Sequence, residues 1–99
     1  MTNRPRMTVQ VGSGSGLDSE VEIYLNPEAR RILIAELTKL DRTNDHFHVF
    51  SFDDSNGLQL SEIPYSTGDM PVCALKVLLR YDDWDAEYFP HVMEPPSNE

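Results

Sequence analysis

The chain has 99 residues, and its 17 acidic and 8 basic side chains give a formal net charge of −9. This length suits one domain with one modest core, and the charge argues against binding to nucleic acid or anionic lipid, which are themselves negative. The single cysteine, Cys73, excludes an internal disulfide. No apolar run approaches the roughly 20 residues that span a bilayer, so we expect a cytoplasmic protein without a membrane partner.

Alternating apolar and polar side chains predict two strands near the start, at residues 7–11 and 21–25. The glycine- and serine-rich residues 12–16 lie between them. A nucleotide-binding loop should open a helix and, in the Walker form, end in Gly-Lys-Ser/Thr. Because residues 12–16 lead into a second strand, they are interpreted as a flexible hairpin loop.

A change of period after the second strand predicts a helix over residues 27–41. Asn26 is a suitable N-cap, Pro27 fits the first helical position, and Glu28 favours the positive end of a helix. The apolar residues that follow at helical spacing are Ala29, Ile32, Leu33, Leu37 and Leu40.

Three further strands are predicted after the helix. Residues 46–52 are rich in aromatics, which indicates a strand with both faces largely covered. Residues 53–57 form a turn ending in Asn-Gly, and strands follow at 58–63 and 72–81. The expected fold is therefore α+β with the order β-β-α-β-β-β: two layers, a mostly antiparallel sheet of about five strands, and one helix on one face. We expect one domain over residues 1–94 and a disordered tail over 95–99.

Residues 82–99 interleave carboxylates with large aromatic side chains and contain no lysine or arginine. Aromatic side chains give contact area at low entropic cost, and carboxylates select a cationic partner. This pattern predicts a surface that binds a basic protein, although the aromatics could instead fold back onto the core. The predicted contact residues are Asp82, Asp83, Trp84, Asp85, Glu87 and Tyr88, with a second patch formed by His46, His48, Asp53 and Asp54.

His46 and His48 are also candidates for metal binding, because residues two apart on a strand share a face. A zinc site needs at least a third ligand, and neither His91 nor Cys73 lies at a ligand spacing that the sequence fixes. Cys73 begins an apolar strand, where a thiol is more often a small buried side chain than a nucleophile. We therefore expect no metal, no other cofactor and no enzymatic activity.

Four segments form a shared pattern: residues 25–29 with the helix that follows, residues 44–51 with Asp45-His46-Phe47-His48-Val49-Phe50-Ser51, residues 58–64 with Leu60-Ser61-Glu62, and residues 74–77 with Leu75-Lys76-Val77. Together they resemble the immunity protein 32 family of bacterial polymorphic toxin systems. The resemblance covers roughly residues 25–80. It implies a protein that neutralises a toxin by binding and occluding its toxic domain.

Two alternatives from other classes remain open. The chain could be a small structural or regulatory domain that self-associates into a homodimer through an exposed sheet edge. It could also be a small metal-dependent enzyme that uses the histidine pair.

Overall fold

The computed structural model describes residues 4–12 and 20–93. Its elements in chain order are β1 (Met7–Val11), β2 (Val21–Leu25), α1 (Pro27–Thr38), β3 (His46–Phe50), β4 (Met70–Pro71), β5 (Ala74–Leu78), α2 (Asp82–Tyr88) and a 3-10 turn (Pro90–Val92). The predicted tail at 95–99 and most of the predicted hairpin loop at 12–16 lie outside the described residues. In the described part of the chain, no helix has the length and apolar character needed to cross a membrane.

The α+β class is confirmed, whereas the expected single sheet of about five strands is not. The described strands form a three-stranded sheet in the order β2-β1-β4 and a two-stranded sheet of β3 and β5, and all their pairings are antiparallel. The prediction of one helix also misses α2. Local patterns locate strands along the chain but do not say which strands pair, and the division into two sheets depends on that pairing.

The strand predicted at residues 58–63 is wrong. Leu58 and Leu60 are buried, as their alternation suggests, but this segment crosses between the sheets. The Leu60 N–H donates to Phe50 O at the end of β3, and the Ser61 N–H donates to Met7 O at the start of β1. Within this segment the structure has one isolated parallel β-bridge, between Met7 and Leu60. The segment therefore joins the two sheets instead of extending either one.

The strand predicted at residues 72–81 is divided in the same way. Val72 donates its N–H to Val9 O in the first sheet, and the next residue, Cys73, accepts a hydrogen bond from the Ser51 N–H beside the second sheet. The chain thus leaves β1 and joins β3 within two residues. Only Ala74–Leu78 pairs along its length with β3.

Helix α1 begins as predicted and ends three residues earlier than predicted. Asn26 has extended backbone dihedrals, and its side chain accepts a hydrogen bond from the Ala29 N–H. At the other end, the Asp41 carboxylate accepts hydrogen bonds from the Thr43 and Asn44 N–H groups. These bonds fix a turn that competes with continued helix, and they hold the pKa of Asp41 below its ordinary value.

The core lies between β1, α1 and the inner face of the second sheet. Its fully buried apolar side chains are Met7, Val9, Ala29, Val49, Leu58 and Leu60, with Ile32, Leu33, Phe47, Val72 and Leu75 packed around them. This set takes side chains from five separate segments, so residues far apart in sequence depend on one another for burial.

The opposite face of β1 is also buried, although its residues are polar. Gln10 is completely buried, and both the nitrogen and the oxygen of its side-chain amide make hydrogen bonds. Its Nε2 donates to Glu22 and Asp69, at 2.8 and 2.7 Å, and its Oε1 accepts from the Tyr65 N–H at 3.0 Å. Tyr65 in turn stacks on Tyr24 of β2, with ring centroids 3.8 Å apart. The connection between Ser61 and Asp69 therefore covers this face of the hairpin.

Candidate functional site

The segment that interleaves carboxylates with aromatic side chains folds into helix α2. Its sequence pattern does not predict this helix. Tyr81 is extended at the N-cap position and makes no side-chain capping bond, and Asp82, Asp83 and Asp85 occupy the first turn, where carboxylates favour the positive helix end. The helix ends before Pro90, which cannot donate a hydrogen bond to a continued helix. Three prolines in residues 82–99 argue against a long element, but the seven residues Asp82–Tyr88 suffice for a short one.

Trp84 and Tyr88 form an exposed aromatic pair on α2. They are four residues apart, so they neighbour each other on the helix surface, and their ring centroids lie 4.4 Å apart with a tilt of 44°. Trp84 is 46% exposed and Tyr88 is 56% exposed. The pair therefore faces solvent and does not fold back into the core.

Carboxylates border this aromatic pair. By helical geometry Glu87 and Asp85 project about 60° to either side of the rings, and Glu87 is exposed while Asp85 is half-buried. Asp82 is exposed at the start of the helix. We call Trp84, Asp85, Glu87 and Tyr88 the acidic-aromatic face.

Asp83 differs from its neighbours because its charge is already paired. Arg42 holds it with two hydrogen bonds of 3.1 and 3.3 Å, and this contact keeps the pKa of Asp83 below its ordinary value. The same guanidinium lies 3.8 Å from the centre of the Tyr81 ring. Asp83 therefore tethers α2 to the segment that follows α1, and its carboxylate is less available to a partner than its exposure suggests.

A cavity of about 240 Å³ connects α2 with the start of β3. It is lined by Arg42, Asp45, Leu79, Arg80, Tyr81 and Trp84. Asp45 Oδ1 lies 2.9 Å from His46 Nδ1, and this hydrogen bond lowers the pKa of the Asp45 carboxyl. One residue of the second predicted patch, His46, is thus linked through Asp45 to a cavity that Trp84 of the first patch also lines.

Four aromatic rings follow one another along the outer face of β3 and just past its end: His46, His48, Phe50 and Phe52. Successive centroids are 5.4, 5.1 and 4.7 Å apart. The prediction that both faces of this strand are covered is wrong for this face, because both histidines are exposed and Phe52 is 72% exposed. The inner face fits the prediction, since Val49 is buried and Phe47 half-buried.

Asp53 and Asp54 lie at the opposite end of β3 from His46, so the second predicted patch is not one compact surface. Asp53 accepts hydrogen bonds from the N–H and the hydroxyl of Ser55, which makes it part of the local turn. Asp54 lines a separate open groove of about 470 Å³ together with Arg4 and Arg6. The prediction joins these two acids to the histidines because all four residues are close in sequence.

The histidine pair has no third ligand within the described residues, which contain no group of three or more His, Cys, Asp or Glu side chains placed to hold a metal ion. The rings of His46 and His48 meet edge to face, at 88°. His91 instead contacts Phe89, and Cys73 is exposed. The arrangement suits aromatic packing better than ligation.

Comparisons with known proteins leave the chain without a match. No protein-family model, curated protein or solved structure matches it. Membership of the immunity protein 32 family therefore stays a prediction from the four segments that resemble it.

Proposed function

We propose that the protein is a non-enzymatic binding protein that occludes a basic protein partner through the acidic-aromatic face of α2. The observation that carries the proposal is the exposed contact between Trp84 and Tyr88, bordered by Glu87 and Asp85. Large aromatic side chains dominate the binding energy of many interfaces, whereas solvated carboxylates contribute mainly charge selection.

The charge of the whole molecule supports the same kind of partner. A net charge of −9 attracts a basic protein over a distance set by the ionic strength and speeds the encounter. The stretch from Tyr81 to Met93 contains no lysine or arginine, so its own sequence adds no repulsive charge to that encounter. The resemblance to immunity proteins supplies the class: the partner is the toxic domain of a secreted bacterial effector.

The experiment measures binding to the C-terminal domain of a large secreted protein encoded beside this gene. Isothermal titration calorimetry at about 50 and 200 mM salt should give a complex that weakens as salt rises. Trp84→Ala should weaken the complex at least about 30-fold, because removal of an interface anchor costs about 2 kcal/mol or more. Glu87→Gln should reduce the salt dependence and act mainly on the association rate.

Matched controls lie elsewhere on the surface. Ile63→Ala truncates an exposed apolar side chain, and Glu62→Gln removes an exposed charge away from α2. Both should bind as the unmodified protein does. Equal losses for Trp84→Ala and Ile63→Ala, or a complex indifferent to Trp84 and to salt, would contradict the proposal.

A further inference from the structure

Strand β2 is an edge strand that exposes an apolar row. In the three-stranded sheet it pairs with β1 on one side, and within residues 4–12 and 20–93 no strand pairs with its other side. Val21 is 58% exposed, Ile23 is 55% exposed, and Leu25 is also exposed. These three side chains share a face of the sheet with the core residues Met7 and Val9, so the row continues the core to the sheet edge.

Natural edge strands are usually protected by lysine, proline or a bulge, because an open edge pairs readily with another strand. The sequence of β2, Val-Glu-Ile-Tyr-Leu, has no lysine or proline, and its pairing with β1 is regular over all five residues. The edge therefore lacks these usual safeguards against pairing.

The hydrogen-bonding pattern fixes which backbone groups are available. The Gly12 N–H bonds to Glu20 O, and the Asn26 N–H bonds to Arg6 O. In an antiparallel ladder such pairs alternate, so Glu22 and Tyr24 direct their backbone groups toward β1. The N–H and C=O groups of Val21, Ile23 and Leu25 consequently point outward.

We infer that β2 pairs antiparallel with β2 of a second copy of this chain, with the two-fold axis at Ile23. In this register Ile23 lies opposite Ile23 of the second copy, and Val21 lies opposite Leu25. All three outward residues then form hydrogen-bonded pairs, about six main-chain bonds in total. The two apolar rows meet on one face and join the two cores.

Charge favours this register over the one centred on Glu22. On the other face of the sheet Glu22 lies opposite Tyr24 of the second copy. A shift that centres the axis on Glu22 would place two carboxylates directly opposite each other, which is unfavourable. The register about Ile23 avoids this repulsion and also uses the outward backbone groups of all three residues, Val21, Ile23 and Leu25, so the strand is complementary to a second copy of itself.

Sedimentation equilibrium over a range of concentrations tests the inference. The expected result is a reversible rise in mass from 11.3 kDa toward twice that value. Because each copy carries a charge of −9, higher salt should strengthen the dimer, the opposite of its effect on a complex with a basic partner. A monomer at every concentration and salt level would overturn the inference.

Two isoleucines of nearly equal exposure provide a matched pair of variants. Ile23→Lys places like charges at the axis and should weaken the dimer at least about 100-fold. Ile34→Lys makes the same change on α1, at a residue 56% exposed, and should leave dimerisation unchanged. Circular dichroism establishes that both variants are folded. Equal effects of the two changes would contradict pairing through β2.

A disulfide tests the register directly. In a Cys73→Ser background, Ile23→Cys should form a covalent dimer on oxidation, because directly opposed residues in a hydrogen-bonded pair lie about 5.5 Å apart between Cα atoms. Ile34→Cys should remain largely monomeric under the same conditions. A folded Ile23→Cys variant that stays monomeric on oxidation would overturn the proposed homodimer. A variant that forms a disulfide only with a cysteine-containing strand of a different protein, added to the mixture, would overturn it as well.

Discussion

Asn26 shows how one side chain can fix the junction between two elements. Its Oδ1 accepts from the N–H groups of Ala29 and Arg6, each at 2.9 Å, and its Nδ2 donates to Arg4 O at 2.7 Å. The sequence pattern predicts the first of these bonds, because an asparagine before Pro27 is a familiar helix start. The bonds to Arg4 and Arg6 could not be predicted, since they depend on where the tertiary fold places the residues before β1.

Asn26→Ala should lower the free energy of unfolding by about 1–2 kcal/mol, because it removes the helix cap and the bonds to the preceding segment. Urea denaturation monitored by circular dichroism measures this. Asn26→Asp keeps the acceptor of the cap and should lose less. A larger loss for Asn26→Asp than for Asn26→Ala would show that the cap is not the main contribution.

At the scale of elements, periodicity predicts β1, β2, the start of α1 and β3 well, because each carries a regular pattern bounded by turn or cap residues. It fails where long-range hydrogen bonds decide the structure. Leu58 and Leu60 show strand alternation, yet their segment connects two sheets. Residues 82–88 lack an apolar stripe, and acids suit both the start of a helix and the binding of a cation, so the pattern alone does not predict α2.

Arg42 connects α2 to the segment that follows α1. Arg42 contacts both Asp83 and the Tyr81 ring, and its planar guanidinium makes these contacts together. Arg42→Ala should increase amide hydrogen exchange across residues 82–88 with little change in the exchange of β1. Arg42→Lys keeps the positive charge but loses the planar guanidinium, so it should increase amide exchange in residues 82–88 less than Arg42→Ala does.

The opposite outcome would also be informative. If exchange in residues 82–88 were unchanged by Arg42→Ala, the helix would be held by the packing of Trp84 and Tyr81 around the 240 Å³ cavity instead. Arg31→Ala is the control, because it removes an exposed Arg–Glu pair within α1 and should leave α2 unaffected.

At the scale of the molecule, the sequence predicts the charge and the kind of side chains at the candidate site but not its shape. The composition gives the chain a strongly negative charge, and the segment after Tyr81 combines carboxylates with large aromatic side chains. That His46 is linked through Asp45 to a cavity lined by Trp84, while Asp53 lies at the far end of β3, follows only from the three-dimensional path of the chain. That Asp83 is paired with Arg42 depends on a contact across 41 residues.

The net charge also predicts how stability responds to salt. Seventeen acids on a small surface repel one another, and screening weakens that repulsion as the Debye length falls from about 30 Å at 0.01 M to about 8 Å at 0.15 M. The Tm should therefore rise over this range in thermal unfolding experiments. A variant carrying Asp54→Asn and Glu62→Gln should show a smaller rise. A Tm that falls with salt would mean that surface ion pairs outweigh the repulsion.

The buried amide of Gln10 has a consequence for finding relatives of this chain. An apolar residue at this position would give β1 a longer apolar run, yet it would leave Glu22, Asp69 and the Tyr65 amide without the three bonds that Gln10 makes with them. Apolar core residues of similar volume replace one another at small cost, whereas few side chains can make these three bonds at once. Divergent homologues should therefore be easier to recognise by a glutamine at the fourth position of the first strand than by the valines and leucines around it.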